Sequence, residues 1–374
     1  MGKKIWLSPS HLTGEEQKYV QEAFDTNWVA PLGPNVNGFE QDICNYTGVK
    51  ACSALNSGSA AIHLALILLG IEENDEVICS SFTFSATVNP IRYQKAIPIF
   101  VDSEGDTWNM SPELLELAIK ARTEQGQKPK AILLVHLYGM PSKMEEIMAI
   151  SKRYDIPIIE DAAEAIGATY KEKAMGTFGE IGIFSFNGNK IITTSGGGAM
   201  ISNNADYCDR ATFLATQARD VAPHYQHSQI GYNYRMSNIL AGIGRGQLEV
   251  LDDRVSARRK NFELYKKELA GIKNITFVEE PEGFYANRWL TTIITNSYET
   301  RESIRLGLEK ENIESRPLWK PMHLQPIFQE FPAYVDGTSE DLFQRGLCLP
   351  SGSNLTESDL KRVVLHIKSN VMSF

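Results

Sequence analysis

The sequence predicts an α/β protein: a large domain on a doubly wound, mainly parallel sheet, followed by a smaller α+β domain. Three observations predict it. Short apolar, β-branched runs recur at Glu76–Cys79, Ile97–Asp102, Ala131–Pro141 and Ile156–Ile159, and helical stretches separate them. The 374 residues, 43% of them hydrophobic, are enough for two cores. From about Leu251 the pattern shifts to extended segments on either side of one helix, which sets the expected division at 1–250 and 251–374. The first strand–helix turn lacks G-x-G-x-x-G, so a dinucleotide-binding fold is disfavoured.

In chain order, LTGEEQKYVQEAFDTN reads as a helix with Thr13 and Glu16 as a capping box. TNWVAPLGPNV is a loop, and Val36 to Thr47 a second helix. ACSALNSGSAAIHLALILLGI gives a strand, a turn of small residues and a long apolar helix in which His63 reads as packed. DEVICSSFTFSATVNPI gives a strand and a helix; SPELLELAIKAR is a helix capped by Ser111. His136 and Tyr138 follow the next apolar run, and His136 reads as structural. GYNYRMSNILAGIGRGQLEVLDDRVSARRKNFELYKKEL is a polar, aromatic loop entering one long helix, with Arg254, Arg258 and Arg259 exposed near a hinge.

A net charge of −9 with mixed signs argues against nucleic acid or an anionic membrane as main partner. The five cysteines are scattered without CxxC, which excludes a disulfide framework or zinc site, and no metal is expected. No signal peptide and no stretch near ~20 apolar residues is visible, so the expected location is cytoplasmic.

One stretch carries the chemistry: AMGTFGEIGIFSFNGNKIITTSGGGAM, with Lys190 between an apolar run and a glycine triplet. Alone, Lys190 also reads as a surface lysine. Asp161 changes the balance, because it ends the apolar run of DIPIIEDAAEAIG, where open α/β sheets bind ligands. A lysine for an aldehyde and a carboxylate for a pyridinium nitrogen together suit pyridoxal 5′-phosphate. Ser185 would give its hydroxyl to the phosphate. Ser57, Gly58 and Ser59 would open a helix whose free N–H groups cradle that phosphate; an ordinary capped helix start is the alternative.

IIEDAAEAIG, GTFGEIGIFSFNGNK and TTSGGGAM resemble the DegT-type sugar-nucleotide aminotransferases, a branch of the fold type I pyridoxal phosphate enzymes, over nearly the whole chain. SFNGNKIITTSGGG is similar to members that aminate UDP-4-keto-6-deoxy-N-acetylglucosamine toward bacillosamine. The resemblance implies Lys190 and Asp161 as catalytic residues, a seven-stranded-type sheet, Phe84 stacked on the pyridine ring (Phe82 competes), and Glu164 near the phenolic oxygen. It implies a homodimer with shared active sites, in which Asn233 reaches the neighbour's phosphate; Arg235 also reads as a salt-bridge residue. It implies substrate contacts from Asn27, Trp28, Val29 and Ala30 and from Arg316, Pro317, Leu318 and Trp319, although Trp28 also reads as a packing anchor.

The activity so implied is transfer of the amino group of L-glutamate to a nucleotide-linked 4-keto-6-deoxy sugar, for glycan biosynthesis. UDP-2-acetamido-2,6-dideoxy-4-hexulose is the first choice. A 3-keto sugar on dTDP or GDP and a cofactor-bound regulatory protein are alternatives. A dehydratase of the same fold is disfavoured, because those relatives replace the lysine with histidine.

Overall fold

The computed structural model describes residues 2–371. The first part of the chain supplies β1 (Ala51–Leu55), β2 (Glu76–Ser80), β3 (Ile97–Val101), β4 (Ala131–Val135), β5 (Ile158–Asp161), β6 (Thr169–Tyr170), β7 (Lys173–Ala174), β8 (Ile181–Ser185) and β9 (Gly198–Ser202). The rest supplies β10 (Ile275–Phe277), β11 (Phe284–Tyr285), β12 (Thr291–Thr295), β13 (Arg316–Pro317), β14 (Ala333–Tyr334) and β15 (Gly346–Leu349). The helices are α1 (Glu16–Asp25), α2 (Pro34–Thr47), α3 (Gly58–Leu68), α4 (Ser85–Tyr93), α5 (Pro112–Glu124), α6 (Met144–Tyr154), α7 (Ala205–Ala215), α8 (Asn238–Leu248), α9 (Leu251–Glu268), α10 (Tyr298–Lys310), α11 (Thr338–Arg345) and α12 (Glu357–Val371).

The large sheet runs β1-β9-β8-β5-β4-β2-β3-β14. From β8 to β14 every pairing is parallel, and β9 alone runs against both its neighbours. Parallel strands are covered on both faces, which explains why β4 is an unbroken apolar run and why β2, β5 and β8 carry consecutive apolar residues rather than an alternation. Helix α3 is apolar on nearly every face because it is buried on nearly every face. A second, antiparallel sheet, β10-β12-β15-β13, stands in the C-terminal part, and α10 and α12 pack beside it with their apolar sides in one cluster.

The structure departs from the sequence reading in four places. The single long helix expected after Asn238 is two, α8 and α9, separated at Glu249–Val250. Strand β9 occupies the run after the glycine triplet, where no strand was expected; its flanking glycine allows the close pairing described below. Arg258 is not exposed but fully buried, because the N-terminal segment lies over it: Arg258 Nη2 donates to Ser8 Oγ at 3.0 Å and Nη1 donates to the Trp289 carbonyl. The sheet has an eighth strand, since β14, from the far part of the chain, pairs in parallel with β3.

The N-terminal segment also crosses the residue-250 division. Ile5 bridges to Ile313, Leu7 N donates to Glu314 at 3.1 Å, and Ser351 N donates to the Leu7 carbonyl at 2.8 Å. Among the described residues no helix is long and apolar enough to cross a membrane.

Candidate active site

The parallel strands end at one edge of the sheet, and a cavity of about 350 Å³ opens there. Strand register fixes its floor: Asp161, the last residue of β5, lies between Val135 of β4 and Ile183 of β8. Asp161 is 5% exposed. Its Oδ2 accepts from Thr87 Oγ1 at 2.7 Å, and its Oδ1 accepts from the Ala163 N–H at 3.1 Å. Thr87 in turn is 2.8 Å from Thr83 through their hydroxyls. Burial pushes the Asp161 carboxyl above the usual range, while Thr87, Ala163, Lys190 and His136 pull it back. A cation brought against the free lone pairs would complete the compensation.

Lys190 enters the same cavity from the loop after β8. Its Nζ lies 3.4 Å from Glu164 Oε1 and 4.3 Å from the centre of the Trp289 ring. Glu164 Oε2 accepts from the Tyr138 N–H at 2.7 Å; that N–H is aimed by a left-handed backbone at Tyr138, φ 54°. Burial also raises the Glu164 carboxyl, against the pull of Lys190 and the Tyr138 N–H.

The third wall is the start of α3. Ser57 caps this helix by accepting from Ala60 N at 3.0 Å, and Ser57, Gly58 and Ser59 line the cavity with Ser185. Ser185 pairs with Gly198, and Gly198 also pairs with Leu55. A Cβ at 198 would stand 2.4 Å from Gly58 N and from the Ser57 carbonyl carbon, so only glycine lets the turn approach β9 this closely. The result is a concave helix N-terminus with hydroxyls around it, the shape and polarity a phosphate needs. Phe84, 54% exposed, and Trp319 form the opposite lip with ring centres 5.8 Å apart. Phe82 is buried in the core and does not line the cavity, which leaves Phe84 as the aromatic on this wall.

The cavity thus gathers Ser57, Gly58, Ser59, Phe84, Asp161, Glu164, Ser185, Lys190 and Trp319. The other expected residues lie elsewhere. Asn233 is exposed; only its carbonyl acts locally, accepting from Asn56 Nδ2 at 3.1 Å. Asn27, Trp28 and Val29 form an exposed loop after α1, and the Ala30 carbonyl accepts from Asn238 N at 2.8 Å. Arg316 is exposed and pairs with Glu314 at 3.0 Å, and Pro317 lies beside it in β13. Leu318 corrects the reading outright: it is 1% exposed and fills the space over Gly346, so no substrate reaches it. Arg235 is a structural residue that pairs with Glu40 and donates to the Ala54 carbonyl at 3.0 Å. His63 sits between Tyr234 and Gln94, and His136 between Glu160 and Ser142, each fully engaged.

Sequence reasoning missed Thr87 and Trp289. Thr87 carries the one readable signal, a hydroxyl one turn after Thr83 in a helix that follows a buried strand. Trp289 had none, since NRWL lies far from the lysine in sequence.

Comparison with known proteins agrees with this geometry. Residues 10–368 match the model of the DegT/DnrJ/EryC1/StrS aminotransferase family. EpsN of Bacillus subtilis (strain 168), provisionally named a pyridoxal phosphate-dependent aminotransferase, is 55% identical over 368 residues, 97% of this chain and 95% of EpsN. The GDP-perosamine synthase of Escherichia coli O157:H7 is 40% identical over 372 residues, 100% of this chain and 99% of that protein. The crystal structure of a DegT DnrJ EryC1 StrS aminotransferase from Brucella abortus superposes with a TM-score of 0.89 at 31% identity, covering 95% of both chains. The chain belongs to the DegT/DnrJ/EryC1/StrS aminotransferase family, and it is an aminotransferase whose cofactor is pyridoxal 5′-phosphate.

Proposed function

We propose that this enzyme moves the amino group of L-glutamate to C4 of a nucleotide-linked 4-keto-6-deoxy sugar. The observation that carries the reading is the meeting of Lys190 Nζ, the Asp161 carboxylate and the α3 phosphate cradle in one cavity. Bound there, pyridoxal phosphate supplies an aldehyde for amines and a ring that withdraws electrons from the carbon next to them. Asp161 would face the pyridine nitrogen and keep its proton in place. Ser57, Gly58, Ser59 and Ser185 hold the phosphate. Lys190 Nζ would hold the aldehyde at rest and, once free, would carry the proton from Cα of glutamate to C4′ of the cofactor, and in the opposite direction with the sugar. Glu164 keeps a hydrogen-bonding carboxyl beside that amine, and Phe84 and Trp319 close the cavity against water.

For the nucleotide, SFNGNKIITTSGGG supports UDP-2-acetamido-2,6-dideoxy-4-hexulose, and the relatives named GDP-perosamine synthase support a GDP-linked 4-keto sugar instead. Glutamate consumption against a panel of UDP-, GDP- and dTDP-linked keto sugars tests both. Turnover of one 4-keto sugar is the expected outcome; consumption with no keto sugar at all defeats the proposal.

We further propose a homodimer with shared sites. Asn27, Trp28, Val29 and Asn233 lie exposed and, with the half-buried Ala30, have no part in their own chain's cavity, as residues lent to a partner would. Lys190→Ala and Asn233→Ala proteins, each inactive alone, should regain up to about a quarter of parental activity when subunits exchange. Random pairing makes half heterodimers, each with one intact site of two. No recovery after verified exchange removes the shared-site model and leaves the aminotransferase standing.

A further inference from the structure

Lys190 has to leave its covalent partner and return to it in every half-reaction, so something must hold the free side chain within reach. Glu164 is a weak holder: the 3.4 Å separation is longer than a charge-assisted hydrogen bond, and its other oxygen is taken by the Tyr138 N–H. The indole of Trp289 is the closer fit, with Lys190 Nζ 4.3 Å above its ring centre in a site where the lysine side chain is only 13% exposed. Tryptophan offers a cation the strongest aromatic face, and the attraction grows when water is excluded.

Trp289 is held at every polar atom it has, side chain and backbone alike. Its Nε1 donates to the Asn189 carbonyl at 2.8 Å, its backbone N–H donates to Asn287 Oδ1 at 2.8 Å, and its carbonyl accepts from Arg258. The same Asn189 carbonyl accepts from Ser8 Oγ at 2.7 Å. Asn189 immediately precedes Lys190, so one peptide fixes both the root of the lysine and the plane on which its tip rests. Packing alone would ask for an apolar side chain of this size; it would not ask for a ring tied to the lysine's own loop.

We propose that Trp289 is a positioning residue for Lys190, its indole face being the resting place of the freed ammonium between covalent engagements. This rests on the assignment of Lys190 as the cofactor-binding lysine. An aromatic face suits the task better than a second carboxylate. It attracts the ammonium without taking a directed hydrogen bond, and it loses its hold once the amine gives up its proton and becomes a nucleophile again.

The test compares Trp289→Phe, which keeps an aromatic face, with Trp289→Leu, which keeps apolar bulk and loses the face. The first readout uses apoprotein: the rate at which added pyridoxal phosphate forms a borohydride-fixable bond, with the site mapped by peptide analysis. The expected result is a rate within about 3-fold of the parent for Phe and about 10-fold slower for Leu. With reconstituted enzyme, kcat should follow the same order while KM for glutamate stays within about 2-fold. Equal rates for Phe and Leu overturn the proposal and leave Trp289 a packing residue. Fixation on another lysine in the parent overturns the Lys190 assignment instead, a different result from equal rates. Should Trp289→Leu fail to fold, Trp289→Met keeps apolar bulk without an aromatic face and takes its place in the comparison. A reconstitution rate about 10-fold slower than that of Trp289→Phe supports the proposal, and an equal rate overturns it.

Discussion

Lys190→Ala should abolish transamination, lowering turnover by at least ~10⁴-fold, the upper end of what a positioned acid–base contributes. In the proposed reaction one side chain has two tasks, binding the aldehyde and carrying the proton, and among the described residues no other lysine lines the cavity. The protein should still capture pyridoxal phosphate, because the α3 cradle, Asp161 and Phe84 are untouched, but borohydride should no longer fix the cofactor to the chain. Parental enzyme reduced in the same way should yield a single modified peptide carrying Lys190. A modified peptide around any other lysine, or turnover surviving the substitution, would refute the assignment. The fold should not suffer, since Lys190 makes only a long ion pair with Glu164 and one ring contact.

Asp161→Asn should lower turnover by at least ~10²-fold with cofactor still bound, the scale for loss of one preorganised electrostatic group. Asparagine fits the space: its oxygen can accept from Ala163, and Thr87 can turn its hydroxyl toward Thr83 and accept from the amide. What is lost is the charge that, in the proposed site, would face the pyridine nitrogen. The apoprotein should show the opposite sign. Burial raises the Asp161 carboxyl, so the folded chain holds that proton more tightly than the unfolded chain. Its stabilising contribution is present below the ordinary carboxylate range and is lost as pH rises through the folded value. Near neutral pH the buried anion therefore weakens the apoprotein, and apo Asp161→Asn should melt no lower than apo parent, with the two converging toward pH 4. A variant that melts well below the parent at pH 7 would mean that Asp161 is chiefly a structural anchor, and near-normal turnover would remove it from the cofactor.

Much of this was legible in the chain. Parallel strands buried on both faces carry consecutive apolar residues, so β2, β4 and β5 stand out, and Asp161 marks the C-terminal end of β5, at the floor of the cavity. NSGS announces a helix N-terminus by its small residues. What stayed hidden was settled by docking between distant segments. Three arginines in one polar helix look alike, and only the N-terminal segment lying over Arg258 separates it from Arg259. Leu318 stands between a proline and a tryptophan in a motif that looks made for ligand, and only the glycine at 346 opens a slot for it in the core. Trp289 is tied to the lysine loop through a backbone carbonyl, a contact that leaves no trace in residue types.

The segment from Ile5 to Ser10 also sets an order in time. Ser8 and Ser10 fasten the carbonyls of Asn189 and Gly188, just before the lysine. Those serines are synthesised well before Lys190, yet the segment that bears them rests on Ile313, Glu314 and Ser351, which are synthesised well after it. At ~5–20 residues per second, on the order of ten seconds or more pass between synthesis of Lys190 and of Ser351. Throughout that interval the lysine loop exists without its latch. A nascent chain halted before Ser351 therefore displays the lysine loop without the segment that fastens it.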